Sequence, residues 1–267
     1  MLVQVQDLPL TAVPVTLPCM AERNKRSQAL ILTVKQMGES NRAVCALTKD
    51  FGIVHATLYG GPKSKLKSLV QPFNAGELWI YDDKTRHSCK ITDFEVTKTH
   101  LSLHSSLYKI WAAELATEIM LKTKCAGDEQ RSYILLSAFV DGIDASDENG
   151  ARLGTIRFLW RYLGMLGVQP DVERCALCNR PLTDGSATYT AETSGFVCTN
   201  CEPQGDFSAD ADGLAYLNAI NTCTPGAVRA MTISAESTYA IKRILFHLIS
   251  QAVGTKLTTI ETGMGIL

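Results

Sequence analysis

The chain has 267 residues, of which 46% are apolar, and a formal net charge of -1. That length supplies one large core or two to three small ones, and no apolar run reaches the roughly 18 residues of a membrane span. The charge is unevenly spread: residues 1–100 are net +4 and residues 101–267 net -5. An N-terminal unit with a polyanion-facing side therefore stands beside ordinary surface variation as an explanation.

The opening MLVQVQDLPLTAVPVTLPCM is apolar but holds Asp7 and three prolines and lacks a basic start. It is a poor signal peptide. Residues 1–21 are read as a tail or extension, with Met20 an alternative start, and the protein is expected in the cytoplasm. QALILTV (28–34) is the first strand candidate, and MGESNR is a turn. Residues 43–48 and 53–59 make two more, joined by DFG, where Gly52 can take positive φ. GGPKSKLKSL (60–69) is a basic loop. ELWIY (77–81) and SCKITDFEVT (88–97) complete the set, with DDKT as a turn between them. Five short strands without a long helix predict a small closed barrel over residues 22–100. An OB-type barrel fits the count, and an SH3-like barrel fits the pattern nearly as well.

The period changes after residue 100. Leu107, Ile110, Trp111, Leu115 and Ile119 share a helical face. Residues 131–140 predict a second helix, and DGIDASDENG an acidic connection. Leu153, Ile156, Trp160, Leu163 and Gly167 predict a third, ended by Pro170. Shorter and longer helices are expected over 213–220 and from Ser237 to a stop at Gly254. The last should pack back on the first and third. A helical domain in two parts, 101–170 and 206–257, thus flanks a cysteine module at 171–205, with a tail at 258–267. The fold class is α+β: an OB-type β-barrel, then an α-helical domain with an inserted four-cysteine knuckle.

In that module Cys175/Cys178 and Cys198/Cys201 form two Cys-x-x-Cys pairs separated by nineteen residues. Each turn places two sulfurs on one metal, and a small two-stranded ribbon around Ser194-Gly195 brings the pairs together. Four thiolates suit one structural zinc ion, Zn2+, in a closed tetrahedral site. Unliganded cysteines and an iron–sulfur cluster are the alternatives. A catalytic zinc would need an open position, and no His lies in the segment. Of the other cysteines, Cys45 and Cys89 lie in apolar or alternating runs and read as buried small side chains in a reducing compartment.

Catalytic signatures are absent. His100 and His104 lack the Glu of a metalloprotease motif and read as surface or helix-cap residues. GGPKSK lacks the spacing of a phosphate cradle, and no Gly-x-Ser-x-Gly elbow occurs. The expectation is a protein that is not an enzyme. Lys63, Lys65 and Lys67 in the basic loop, with Arg23, Lys25, Arg26 and Arg42, are candidate contacts to a DNA backbone. A solvated hairpin is the plainer reading. Phe51, Tyr59, Phe73, Trp79 and Tyr81 are available for stacking, although strand aromatics more often belong to a core.

These pieces, in this order, resemble one family, that of the bacterial DNA repair protein RecO. Gly38, Glu39 and Arg42, then Gly52, then Gly60, Lys63 and Ser64 match its N-terminal pattern. LVQPF (69–73), FLWRYLGMLGVQPDVERCALC (158–178), GFVCTNC and residues 241–257 carry the likeness onward. The first twenty residues have no counterpart, and GGPKSK replaces a more basic Gly-Ala-Arg-Lys pattern. The resemblance implies binding of single- and double-stranded DNA and annealing of complementary strands. It also implies help in loading RecA onto DNA coated with single-strand-binding protein, with RecR and in some cases RecF as partners, in the nucleoid. It further implies binding of the acidic, hydrophobic C-terminal tail of single-strand-binding protein by the helical domain. Arg157 and Arg161, which flank an apolar helix face, are candidates to meet that tail's carboxylates. Glu39 is expected to pair with Arg42 or cap its turn. The rivals are a zinc-stabilised adaptor touching only proteins, and a nuclease, for which no carboxylate set is evident.

Overall fold

The computed structural model describes residues 23–60, 64–182, 185–201, 205, 207–263 and 265–266. The predicted start and Lys63 lie outside them. Five strands close a barrel in the order β1-β2-β3-β5-β4: β1 Asn24–Met37, β2 Asn41–Thr48, β3 Gly52–Leu58, β4 Ala75–Asp83 and β5 Ser88–Lys98. β1 is twice the predicted length because it serves two partners. Its first half pairs with β4 and its second with β2, and a register shift between Ile31 and Thr33 bends it from one to the other. The turn before β3 needs φ = +64° at Gly52, as expected of a glycine there. A Cβ on Gly52 would also run into the Glu129 carboxylate of the helical region.

The apolar runs of β1 and β2 are continuous because both of their faces are covered. Ala29, Ile31, Val44 and Ala46 point into the barrel with Leu58, Leu78, Ile80 and Phe94. Leu30, Leu32, Cys45 and Leu47 point the other way, into the helical core. Burial pushes the Cys45 and Cys125 thiols up to about 11, as befits inert interior sulfurs.

After β3 a short helix, α1 (Lys65–Leu69), occupies part of the predicted basic loop. The helical core holds α2 (Leu107–Lys122), α3 (Glu129–Asp144), α4 (Glu148–Met165), α5 (Ala211–Thr222), α6 (Pro225–Ala230), α7 (Ala235–Val253) and α8 (Thr258–Thr262). Side chains of Ser106, Asp128, Asp147, Asp210, Thr224 and Ser234 cap α2 to α7 in turn. The acidic connection shrinks to residues 145–147: α3 runs on to Asp144, and Asp147 is itself a cap. Gly167 lies beyond α4 at φ = +73°, off the helical face assigned to it. Gly254 ends α7 in the left-handed conformation, as predicted. α7 packs on α4, α5 and α2. α8 occupies part of the expected tail.

The cysteine segment enters between α4 and α5. Its ribbon has three strands, β7-β6-β8: β6 Ala187–Thr190, β7 Gly195–Cys198 and β8 Ser208–Ala209. It is fastened to α7 through His247, whose ring stacks 4.2 Å from Phe207 and meets Tyr189 edge-on at 6.0 Å.

His100 stands at the N-cap of the short 3-10 helix Leu101–Ser105, as the helix-cap reading allows, but it is not on the surface. It is 5% exposed, and its Nδ1 lies 2.6 Å from the carbonyl oxygen of Phe73 and its Nε2 2.8 Å from Asp141 Oδ1. Phe73 follows the basic loop and Asp141 lies on α3, so this ring joins barrel to helices. Glu39 makes no ion pair with Arg42 among the described residues. The side-chain amide of Gln36 instead holds its turn, donating to the carbonyls of Gly38 and Glu39.

Candidate metal and nucleic-acid sites

The two Cys-x-x-Cys turns converge. In the first, Asn179 adopts φ = +58° and its N–H returns to the Cys175 carbonyl at 2.9 Å. In the second, the Cys201 N–H returns to Cys198 at 2.9 Å. The Ala176 N–H donates to Phe196 on β7, tying the two turns together. The sulfurs of Cys175, Cys178, Cys198 and Cys201 all lie within 4.8 Å of one another. Cys178 and Cys198 are 3.7 Å apart, and a tetrahedron with Zn–S bonds of ~2.3 Å requires sulfurs ~3.8 Å apart. The cluster is thus suited to a single metal ion. Burial raises the Cys175 thiol, but N–H groups of Cys178, Cys198 and Leu177 point at its sulfur and bring it down to about 6. Cys201, hydrogen-bonded to Cys178 and Cys198, is pushed up to about 12. Among the described residues no other group of three or more His, Cys, Asp or Glu is placed to hold a metal.

The basic residues of the barrel fall into two groups. Lys65 is exposed and Lys67 half-buried on α1. Arg42 on β2 donates from Nη1 to the Lys67 carbonyl at 2.9 Å, so it anchors the loop's backbone. The second group sits at the start of β1 and is engaged with β4. Arg23 donates to the Tyr81 hydroxyl at 3.0 Å, Lys25 pairs with Asp82 at 2.5 Å, and Arg26 grips Glu77 through two hydrogen bonds. Phe73 belongs to the core, whereas Phe51 and Tyr59 are exposed and Trp79 and Tyr81 half-buried. Sequence reading passed over Lys84, Arg86 and Lys90 around the β4–β5 hairpin.

Two grooves of the helical domain border α4. One, of about 320 Å³, runs between α3 and α4 and is lined by Phe139, Ile143 and Phe158, with Arg157, Arg161 and Arg229 at its edge. Arg157 Nη1 donates to Tyr216 at 2.8 Å. Burial lowers the Arg161 pKa, and the positive charges of Arg157 and Arg229 lower it further. Among the described residues no carboxylate lines this groove. Sequence reading found Arg157 and Arg161 but not Arg229, which α6 brings in. The other groove, about 500 Å³, lies between α4 and α7 and is lined by Arg152, Leu153, Ile156, Tyr239 and Lys242.

Two family models match in tandem. That described as Recombination protein O N terminal matches residues 20–100, and that described as Recombination protein O C terminal matches residues 104–260. Among curated proteins, the DNA repair protein RecO of Clostridium novyi is 25% identical over 240 residues, covering 88% of this chain and 92% of its own. RecO of Gloeobacter violaceus is 25% identical over 206 residues, 75% of this chain and 78% of its own. RecO of a Synechococcus strain is 25% identical over 246 residues, 85% and 86% respectively. Matched in order over its barrel and its helices, the chain belongs to the RecO family of DNA repair proteins.

Proposed function

We propose that this protein is a non-enzymatic mediator of DNA repair and recombination. It binds single- and double-stranded DNA through the barrel and anneals complementary strands. With RecR, and with RecF as a further candidate partner, it helps load RecA onto DNA coated with single-strand-binding protein. The observation that carries the reading is the α1 loop. Arg42 holds its backbone against the barrel, with Lys65 exposed and Lys67 half-buried on α1. Phosphate contacts of this kind supply affinity without sequence preference. Lys63 is assigned the same role from the sequence.

The groove edged by Arg157, Arg161 and Arg229 is proposed to receive the tail of single-strand-binding protein. Its apolar floor suits a terminal aromatic side chain, and its guanidinium groups, which meet no carboxylate among the described residues, suit an acidic tail. Four thiolates holding Zn2+ would complete the ribbon and leave no open position, so the metal folds the module and takes no part in DNA chemistry. The direct test is annealing of complementary strands coated with the cognate single-strand-binding protein. The account expects faster annealing on adding this protein. DNA-free behaviour with intact tail binding would instead support an adaptor that touches only proteins.

A further inference from the structure

The cavity of about 500 Å³ between α4 and α7 joins an apolar floor to a pair of cations, and neither the α1 loop nor the tail groove makes use of it. Its size is that of a small-molecule site. Leu153, Ile156 and Ile233 supply the floor. Arg152 reaches the cavity from α4 and Lys242 from α7.

Arg152 is held in place from two sides. Its Nη2 donates to Glu148, one turn back on α4, at 2.8 Å, and its guanidinium lies 4.3 Å from the Tyr108 ring centroid. A guanidinium is a fork of several N–H donors, and Glu148 engages one arm of it. Lys242 is half-buried, with its Nζ 5.4 Å from the Tyr239 ring centroid. Burial lowers the Lys242 pKa, and the positive charge of Arg152 lowers it further. The fold thus holds two like charges close together in one concave wall. Among the described residues no carboxylate lines that wall. An anion seated between the two cations would relieve their repulsion and accept from both.

The rest of the lining bears on what the anion is attached to. Tyr239 is 58% exposed, so its ring is open to stacking. Asn149 and Thr238 add an amide and a hydroxyl that both donate and accept. We propose that this cavity binds a free nucleoside monophosphate. Its phosphate lies between Arg152 and Lys242, its base lies against Tyr239 and the apolar floor, and Asn149 and Thr238 meet its polar edges. A bare anion would leave the floor and the ring in water, and an apolar ligand would bury the cations without a counter-charge. The proposal is independent of the α1 loop and of the tail groove.

The test is isothermal titration calorimetry of the full chain with adenosine 5′-monophosphate, adenosine and inorganic phosphate as separate probes. The nucleotide should bind at least about tenfold tighter than either part, since each part forfeits the charge-assisted bonds or the stacked ring. Lys242→Ala should weaken the nucleotide by about tenfold or more. Tyr239→Ala should weaken it by about 5- to 150-fold, and Tyr239→Phe should not. No binding of the nucleotide overturns the proposal. So does binding that Lys242→Ala and Tyr239→Ala leave unchanged with the fold intact by circular dichroism. Inorganic phosphate binding as tightly as the nucleotide overturns it in favour of a site for any small anion, and adenosine binding as tightly removes the role of the cations. Displacement of the nucleotide by an equal concentration of a 5′-phosphorylated oligonucleotide overturns it in favour of a strand end. Displacement by a peptide ending in acidic residues and a C-terminal Phe overturns it in favour of the tail of single-strand-binding protein.

Discussion

The imidazole of His100 and the carboxylate of Asp141 meet at 2.8 Å across the junction of barrel and helices, and Lys98 reaches the other carboxylate oxygen at 2.6 Å. The ring's second nitrogen is occupied by the Phe73 carbonyl. His100→Ala would leave that carbonyl without its buried partner and remove one of the ties between α3 and the barrel. Losing a buried hydrogen-bond partner costs about 1–3 kcal/mol. Urea unfolding of His100→Ala should show a loss in that range, and the effect of Asp141→Asn should be smaller in the His100→Ala background than alone. Additive losses would mean that the two groups act independently.

Glu118 on α2 fastens α8. Its carboxylate accepts from the N–H groups of Thr258 and Thr259, both at 2.9 Å, and pairs with Lys122 at 3.0 Å. Burial pushes its pKa up, but the hydrogen bonds from Thr259, Lys122 and Thr258 prevail and bring it down from 4.5 to about 2. A carboxyl with a depressed folded-state pKa stabilises the fold fully above its unfolded value. That contribution fades as pH falls through the folded one. Wild-type stability should therefore drop between about pH 4.5 and pH 2 more steeply than that of Glu118→Gln. Parallel urea midpoints across that window would contradict the assignment.

Protein purified without added metal should contain about one zinc per chain, the stoichiometry of one four-thiolate site. Cys175→Ser or Cys198→Ser should lose the metal and loosen the ribbon, with DNA binding affected only indirectly. Elemental analysis and thermal melting with a chelator check both points. Unchanged stability on complete metal removal would contradict a structural zinc.

A peptide ending in acidic residues and a C-terminal Phe should bind the full chain, with Arg161→Ala and Arg229→Ala each weakening it by about tenfold or more, as for lost charge-assisted hydrogen bonds. Arg157→Ala also removes the bond to Tyr216, so its effect mixes binding with stability. Calorimetry decides. Full affinity in the Arg161/Arg229 double variant, with loss in Lys242→Ala, would move the site to the groove between α4 and α7.

Much of this architecture was legible because it rests on period and spacing. The barrel strands, the apolar helix faces and the paired Cys-x-x-Cys turns are local patterns. What escaped depends on chain segments distant in sequence. His100 looked exposed because nothing nearby announces Phe73 and Asp141 as its partners. The bend in β1 is invisible in QALILTV, since Leu30, Ile31 and Leu32, where the pairing passes from β4 to β2, are equally apolar. The acidic run at 141–150 has the composition of a loop, yet α3 runs through its first four residues and Asp147 caps α4. Arg229 joined Arg161 only once α6 was seen to fold against the groove.

The central claim is that the α1 loop binds DNA phosphates. Each lysine that contacts a phosphate releases counterions, contributing about 0.7 to the slope of log affinity against log salt for single strands. A salt titration of a fluorescent oligonucleotide should therefore give a slope smaller by about 2 in the triple variant Lys63→Ala, Lys65→Ala and Lys67→Ala. The loss should be similar for oligonucleotides of different sequence. An unchanged slope and affinity, with the fold intact by circular dichroism, would contradict the claim and shift the phosphate contacts elsewhere on the barrel.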